Sequence, residues 1–231
     1  MLDSFFDKLH ETFIVDDRWK YLVNGLKTTL IITIFAVMIG MLLGFLVAIV
    51  RSTHDRTGRF KIMNLICKLY LTVIRGTPVM VQLLIIYYVI FASVRIDKTL
   101  VGIIAFGINS GAYVAEIVRS GIMSIDKGQY EAGASLGLNY SKTMKHIILP
   151  QAFKNVLPAL ANECIVLLKE TSVAGYIALE DLTKGGDIIR SITYEPFLPL
   201  LAVAIIYLVI VVGLSALVGK LERRLKKSDR G

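Results

Sequence analysis

Two residues with chemistry stand together inside an apolar run: "PALANECIVLL" carries Asn162 and Glu163. A carboxylate in such surroundings must find a cation or stay protonated, and ionisable groups at that depth mark transport pathways by default. With a helix starting near Asn155, Glu163 lies about 12 Å along it, near the middle of a roughly 30 Å hydrocarbon layer. Two readings are open. Glu163 could face the positive group of a cationic cargo, a basic amino acid such as arginine, lysine or histidine. It could instead sit in a permanent ion pair with Arg75, Lys68 or Lys169.

A second constellation is "RGTP", residues 75–78. Thr77 can cap a helix that Pro78 begins, which would present backbone N–H groups and a positive dipole end beside Arg75. An α-carboxylate fits such a site, as at the discontinuous helices of transporters, with Gln82 as a further polar neighbour. Against this, Lys61, Lys68 and Arg75 recur every seven residues, the pattern of a helix lying on the membrane surface, which puts Arg75 at the membrane edge. Both placements stay open. Glu116 and Arg119, one turn apart, are expected to pair with each other.

Catalytic chemistry is not expected. There is no Gly-rich phosphate loop of the Walker type, and no Ser or Cys is placed beside a base. His10, His54 and His146 lie outside the apolar runs. Cys67 and Cys164, without paired spacing, read as small hydrophobes rather than as a disulfide or metal site.

The elements that must position these residues are membrane spans. The chain has 231 residues, 55% of them hydrophobic, and a formal charge of +8. Its basic residues sit at the edges of apolar runs instead of forming one patch, which argues for membrane flanks and against nucleic acid. Five spans are expected, over residues 26–50, 78–92, 100–118, 155–168 and 197–218. The run 155–168 is short for a lipid-facing span, so it is either walled by protein or extended by "VAGYIALEDL". Residues 1–23 mix Phe5, Phe6, Leu9 and Phe13 with Asp3, Asp7 and Glu11, as an amphipathic interfacial helix would. A transmembrane domain, 24–219, then contains a polar loop, 126–150, and a basic tail follows at 220–231. Arg51, Arg56, Arg59 and Lys61 flank one loop; Arg119, Lys127, Lys142, Lys145 and Lys154 flank another. That asymmetry puts the N-terminus outside and the tail in the cytoplasm. Small residues at every fourth position, Gly40, Gly44 and Ala48 in one span and Gly107, Gly111 and Ala115 in another, would let two backbones approach closely.

The polar loop "EAGASLGLNYSKTMKHIILP" is the most specific stretch. Asp126 can cap a helix with Gln129 at its third position, a near capping box. Gly137 can supply the left-handed turn that ends it, Ser141 can cap a second short helix, and Pro150 tolerates the first turn of the next. The product is a water-facing elbow with a low-relief surface of small residues.

This stretch resembles the EAA motif of ATP-binding cassette importer permeases: Glu131, Ala132, Gly137, Ile147, Leu149 and Pro150 stand at its spacing. Gly133 replaces the usual third Ala, a change expected to loosen the helix by about 1 kcal/mol. "IRGTPVMVQ", "GAYVAEIVRSGI" and "GQYEA" are similar to the polar amino acid branch, so the resemblance covers most of the chain. It implies an all-α type I importer fold and a permease subunit in a bacterial inner membrane. The elbow would dock into a separate ATPase subunit, which would bind ATP and Mg, leaving no cofactor in this chain. A second permease subunit, identical or related, and an extracytoplasmic binding protein that delivers an amino acid complete the implied assembly. The rival reading is a carrier or channel driven by an ion gradient, which would explain Glu163 but leave the elbow without purpose.

Overall fold

The computed structural model describes residues 2–228, with side chains over 6–225, and contains helices but no strand among the described residues. The side chains of Asp3 and Phe5, and the tail beyond 225, lie outside that range. The first helix, α1 (Leu2–Leu9), passes through a π turn (His10–Ile14) and a 3-10 turn (Val15–Asp17). Asp16 and Asp17 take positive φ there, so the N-terminal segment is bent rather than one helix. The long helix α2 (Trp19–Thr57) begins inside the segment expected to be interfacial. Its 39 residues reach about 58 Å, nearly twice a hydrocarbon layer. It therefore projects well past the apolar run that ends at Val50.

Gly58, at φ +67, ends α2. Then α3 (Lys61–Gly76) and α4 (Val79–Ile85, continued by a π turn over Ile86–Ile90) meet at a 110° bend. Next comes α5 (Lys98–Met123), whose first turn is capped by the Asp97 carboxylate accepting from the Thr99 and Leu100 N–H groups. The elbow is α6 (Lys127–Ser135) and α7 (Tyr140–Thr143), joined through a π turn (Met144–Ile148) to α8 (Leu149–Glu170). A 3-10 stretch (Thr171–Ile177) leads to α9 (Leu182–Thr193), capped by Asp181, and α10 (Phe197–Ser228) closes the chain.

By length and composition, α2, α5 and α10 could each cross a membrane, and α3 with α4 would make a fourth if the bent pair counts as one span. The run 155–168 lies within α8 and is walled by protein: Val156, Leu160, Ile165, Leu167 and Leu168 are buried. "VAGYIALEDL" does not extend α8, because the chain tightens into the 3-10 stretch after Glu170.

The two small-residue stripes pack against each other. A methyl on Gly40 would stand 2.9 Å from the Ser110 side chain, and one on Gly107 would stand 2.8 Å from that of Ile39. Such proximity lets α2 and α5 form the central pair of the molecule. Around them Ile32, Ala36, Leu83, Val101, Phe106 and Leu167 form a buried core. The outward faces of α2 (Ile34, Met38, Leu42, Leu46) and α10 (Leu208, Val209, Val212) are apolar and exposed, as lipid contact requires.

Candidate functional site

Mid-way along α5, Asn109 and Ser110 are both buried, and each reaches a different helix. The Ser110 hydroxyl donates to the Glu163 carboxylate at 3.1 Å. Glu163 is only 8% exposed, and among the described residues no cation pairs with it. The permanent ion pair with Arg75, Lys68 or Lys169 is therefore not formed. Asn162, the preceding residue on α8, is exposed.

Asn109 serves the bend instead. Its side-chain amide donates to the Gln82 Oε1 at 3.0 Å. Gln82 in turn donates through Nε2 to the Ile74 carbonyl (2.7 Å), the Thr77 carbonyl (3.0 Å) and the Thr77 hydroxyl (2.8 Å). The carbonyls at a helix C-terminus have no partner within the helix, and Gln82 supplies one at the end of α3. Thr77 does not cap α4, contrary to the sequence expectation. Its hydroxyl donates back to Val73, and the cap position of α4 falls on Pro78 without a side-chain bond. Thr77 closes one helix rather than opening the next.

Arg75 makes no ion pair with Glu163. It stands 3.7 Å from Glu116, beside the Tyr113 ring, in an open cavity of about 540 Å³ that Arg51 and Lys68 also line. The expected Glu116–Arg119 pair is not formed either. Glu116 takes Arg51 at 2.9 Å, and Arg119 takes Asp55 at 3.0 Å, because the projecting end of α2 brings both partners alongside α5.

The elbow is built by its own caps. Asp126 accepts from the Gly128 N–H at 2.7 Å, while the Gln129 side chain meets Gln151 instead of completing a capping box. Gly137 takes φ +72 and donates its N–H to the Ala134 carbonyl, and the Leu138 N–H reaches back to Gly133. That reversal favours a residue without a Cβ. The cap of α7 is Asn139, which accepts from the Lys142 N–H at 2.9 Å; Ser141 lies one residue inside the helix.

Within the motif, Glu131, Ala132, Gly137 and Pro150 are exposed, whereas Ile147 and Leu149 pack against the core formed by Val118, Ile122, Ile148 and Ala152. Gly133 is buried, and a methyl there would meet Thr143 Cγ2 and Oγ1 at 2.7 Å. An alanine at this position would have to displace the Thr143 side chain, so glycine here also serves the packing of the two crossing helices. The elbow is also held from above. Arg56, on the end of α2, stacks over the Tyr130 ring at 3.2 Å. Burial pushes the phenols of Tyr130 and Tyr140 up from their ordinary range.

Residues 36–227 match the family described as "Binding-protein-dependent transport system inner membrane component". The chain belongs to that family. It is 37% identical over 211 residues to the arginine transport system permease protein ArtQ of Bacillus subtilis (strain 168), covering 90% of this chain and 94% of the relative. To the glutamine transport system permease protein GlnP of Escherichia coli (strain K12) it is 38% identical over 208 residues, 89% and 93% of the two chains. A crystal structure of an amino acid ABC transporter with histidines superposes with a TM-score of 0.83 at 42% identity, covering 92% of this permease and 98% of that chain. An inward-facing structure of the MetNI methionine ABC transporter gives 0.75 at 18% identity over 89% and 96%, which shows a shared fold. The permease therefore has the type I importer fold, and its relatives are non-catalytic permease subunits that work with a separate ATPase.

Ser110, Asn109, Thr143 and Asn139 were missed as functional partners. Asn139 had a legible signal, an Asn three residues before Lys142 ahead of a helix. The other three are ordinary residues in sequence and acquire a role only when helices cross.

Proposed function

We propose that this permease forms the pathway of an ATP-driven amino acid importer whose preferred cargo is basic: arginine, lysine or histidine. The observation that carries the reading is Glu163, buried in the second half of α8 with a single hydroxyl partner and no cation among the described residues. A substrate ammonium or guanidinium would complete it. The named relatives include both an arginine and a glutamine permease at similar identity, so the preference rests on this carboxylate. Asn162 could supply a further polar contact; Arg75, 3.7 Å from Glu116, is not assigned to the substrate.

Two copies of the chain, or one and a related permease, would enclose the pathway, with twofold symmetry if identical. The exposed face of Glu131, Ala132 and Gly137 would seat in a cleft of the ATPase, which binds ATP and Mg and on closing pulls the elbows together. An extracytoplasmic binding protein would deliver the amino acid, with the N-terminus outside and the basic tail in the cytoplasm.

Proteoliposomes holding the permease, its ATPase and its binding protein test the reading. Arginine uptake at limiting substrate should fall by about tenfold or more in Glu163→Gln, since a hydrogen bond to a charged group contributes roughly 1.5–3 kcal/mol. Glutamine uptake should change little. Unchanged arginine uptake removes the role, and uptake driven by an imposed ion gradient without ATP would restore the carrier reading.

A further inference from the structure

At the elbow end of the membrane-spanning helices, Arg51, Lys68 and Arg75 share the cavity of about 540 Å³ with Thr72, Tyr113 and Glu116. Three cations face one carboxylate. Glu116 is already held by Arg51 at 2.9 Å and lies 3.7 Å from Arg75. Lys68 and Thr72 have no hydrogen bond or ion pair among the described residues, and the Arg51 Nε is buried without a partner. The cavity therefore carries an excess of positive charge and of N–H and O–H donors that the chain does not itself satisfy. An anion with several acceptor oxygens matches it.

The neighbouring surface narrows the choice of anion. On α3, Ile62, Leu65, Ile66 and Leu69 stand at helical spacing on one face, 62% to 77% exposed. Lys61, Lys68 and Arg75 run along the edge of that face at seven-residue spacing. An exposed apolar stripe flanked by a cationic row is the geometry of a helix lying at a lipid interface.

We propose that this cavity binds the phosphate of an anionic phospholipid, held by Lys68 and Arg75 with Thr72 as a hydroxyl donor, its acyl chains lying along the exposed face of α3. The occupant is a lipid rather than a free anion because the charged cavity and the apolar stripe are continuous on one helix.

The test uses the permease assembled with its ATPase in vesicles of phosphatidylcholine and phosphatidylglycerol, extracted gently and weighed by native mass spectrometry. The wild type should retain phosphatidylglycerol, and Lys68→Gln/Arg75→Gln should retain about tenfold less. Lys61→Gln, outside the cavity, should retain as much as wild type, and the charge-preserving Lys68→Arg/Arg75→Lys should restore retention. Equal retention by the neutralised variant overturns the proposal. Displacement of the lipid by arginine would overturn it too, marking the cavity as a substrate pocket, and displacement by inorganic phosphate would make it a free-anion site.

Discussion

The elbow and the buried polar crossing are held together by opposite kinds of contact. In the elbow, the partners that cap and turn the helices are near in sequence: Asp126 with Gly128, Asn139 with Lys142, Gly137 with Ala134. In the crossing, Gln82 meets Asn109 across 27 residues and Ser110 meets Glu163 across 53. A short helix in water must close its own ends, so nearby side chains and turn residues do that work. A helix in lipid satisfies its backbone internally and leaves its polar side chains to find one another between helices. One region is specified locally and should fail locally; the other is specified by packing and should fail through its partners.

The sharpest break is Gly137→Pro. Proline fixes φ near −65° and removes an N–H, whereas Gly137 sits at φ +72 and donates to Ala134 at 2.9 Å. The variant should insert normally in the membrane but lose co-purification of the ATPase altogether. Normal co-purification would refute the elbow as the docking element. Gly137→Ala, strained only by its Cβ at a cost of roughly 1–2 kcal/mol, should weaken recovery without abolishing it.

A smaller effect is expected in the crossing. Gln82→Leu leaves the Ile74 and Thr77 carbonyls and the Asn109 amide without their partner; Asn109 is buried, and one unsatisfied buried group costs about 1–3 kcal/mol. The purified permease should melt lower, and adding Asn109→Leu should recover part of the loss because one orphaned group goes with it. If Gln82→Leu instead raised the KM for substrate with no loss of stability, Gln82 would belong to the pathway, as its sequence position first implied. The contrast between a bend anchor and a substrate contact would then be wrong.

Legibility followed the same division. The motif spacing, the Asp126 cap, the Gly137 turn and the two glycine stripes could all be read from residues at fixed short intervals. Glu116 and Arg119 show where that approach stops. A pair one turn apart on a helix contributes only about 0.2–0.5 kcal/mol, so partners arriving on another helix displace it readily. Arg51 and Asp55, about 65 and 64 positions away, do so here. They arrive because α2 continues as a helix through "RSTHDRT" to Gly58, and hydropathy reports the thickness of the lipid layer, not the end of the helix. The 110° bend after Gly76 was equally hidden: "RGTP" announces a break, but only the Gln82 amide bridging Ile74 and Thr77 shows how the bend is held.

The finest test asks whether local packing or family habit decides one atom in the elbow. Gly133→Ala restores the residue usual in the motif and should gain up to about 1 kcal/mol in helix propensity. It must also place a methyl 2.7 Å from the buried Thr143 side chain, and overpacking of that kind costs about 1–3 kcal/mol. The loss should win by a small margin, seen as a modest drop in ATPase recovery. Thr143→Ala removes both close atoms and leaves its Cβ at 3.2 Å, so the double variant should regain recovery and show a coupling of about 0.5 kcal/mol or more in a double-mutant cycle. Strict additivity would mean that the two helices do not interlock at this contact, and the elbow would then owe its shape to the Gly137 turn and the Asn139 cap alone.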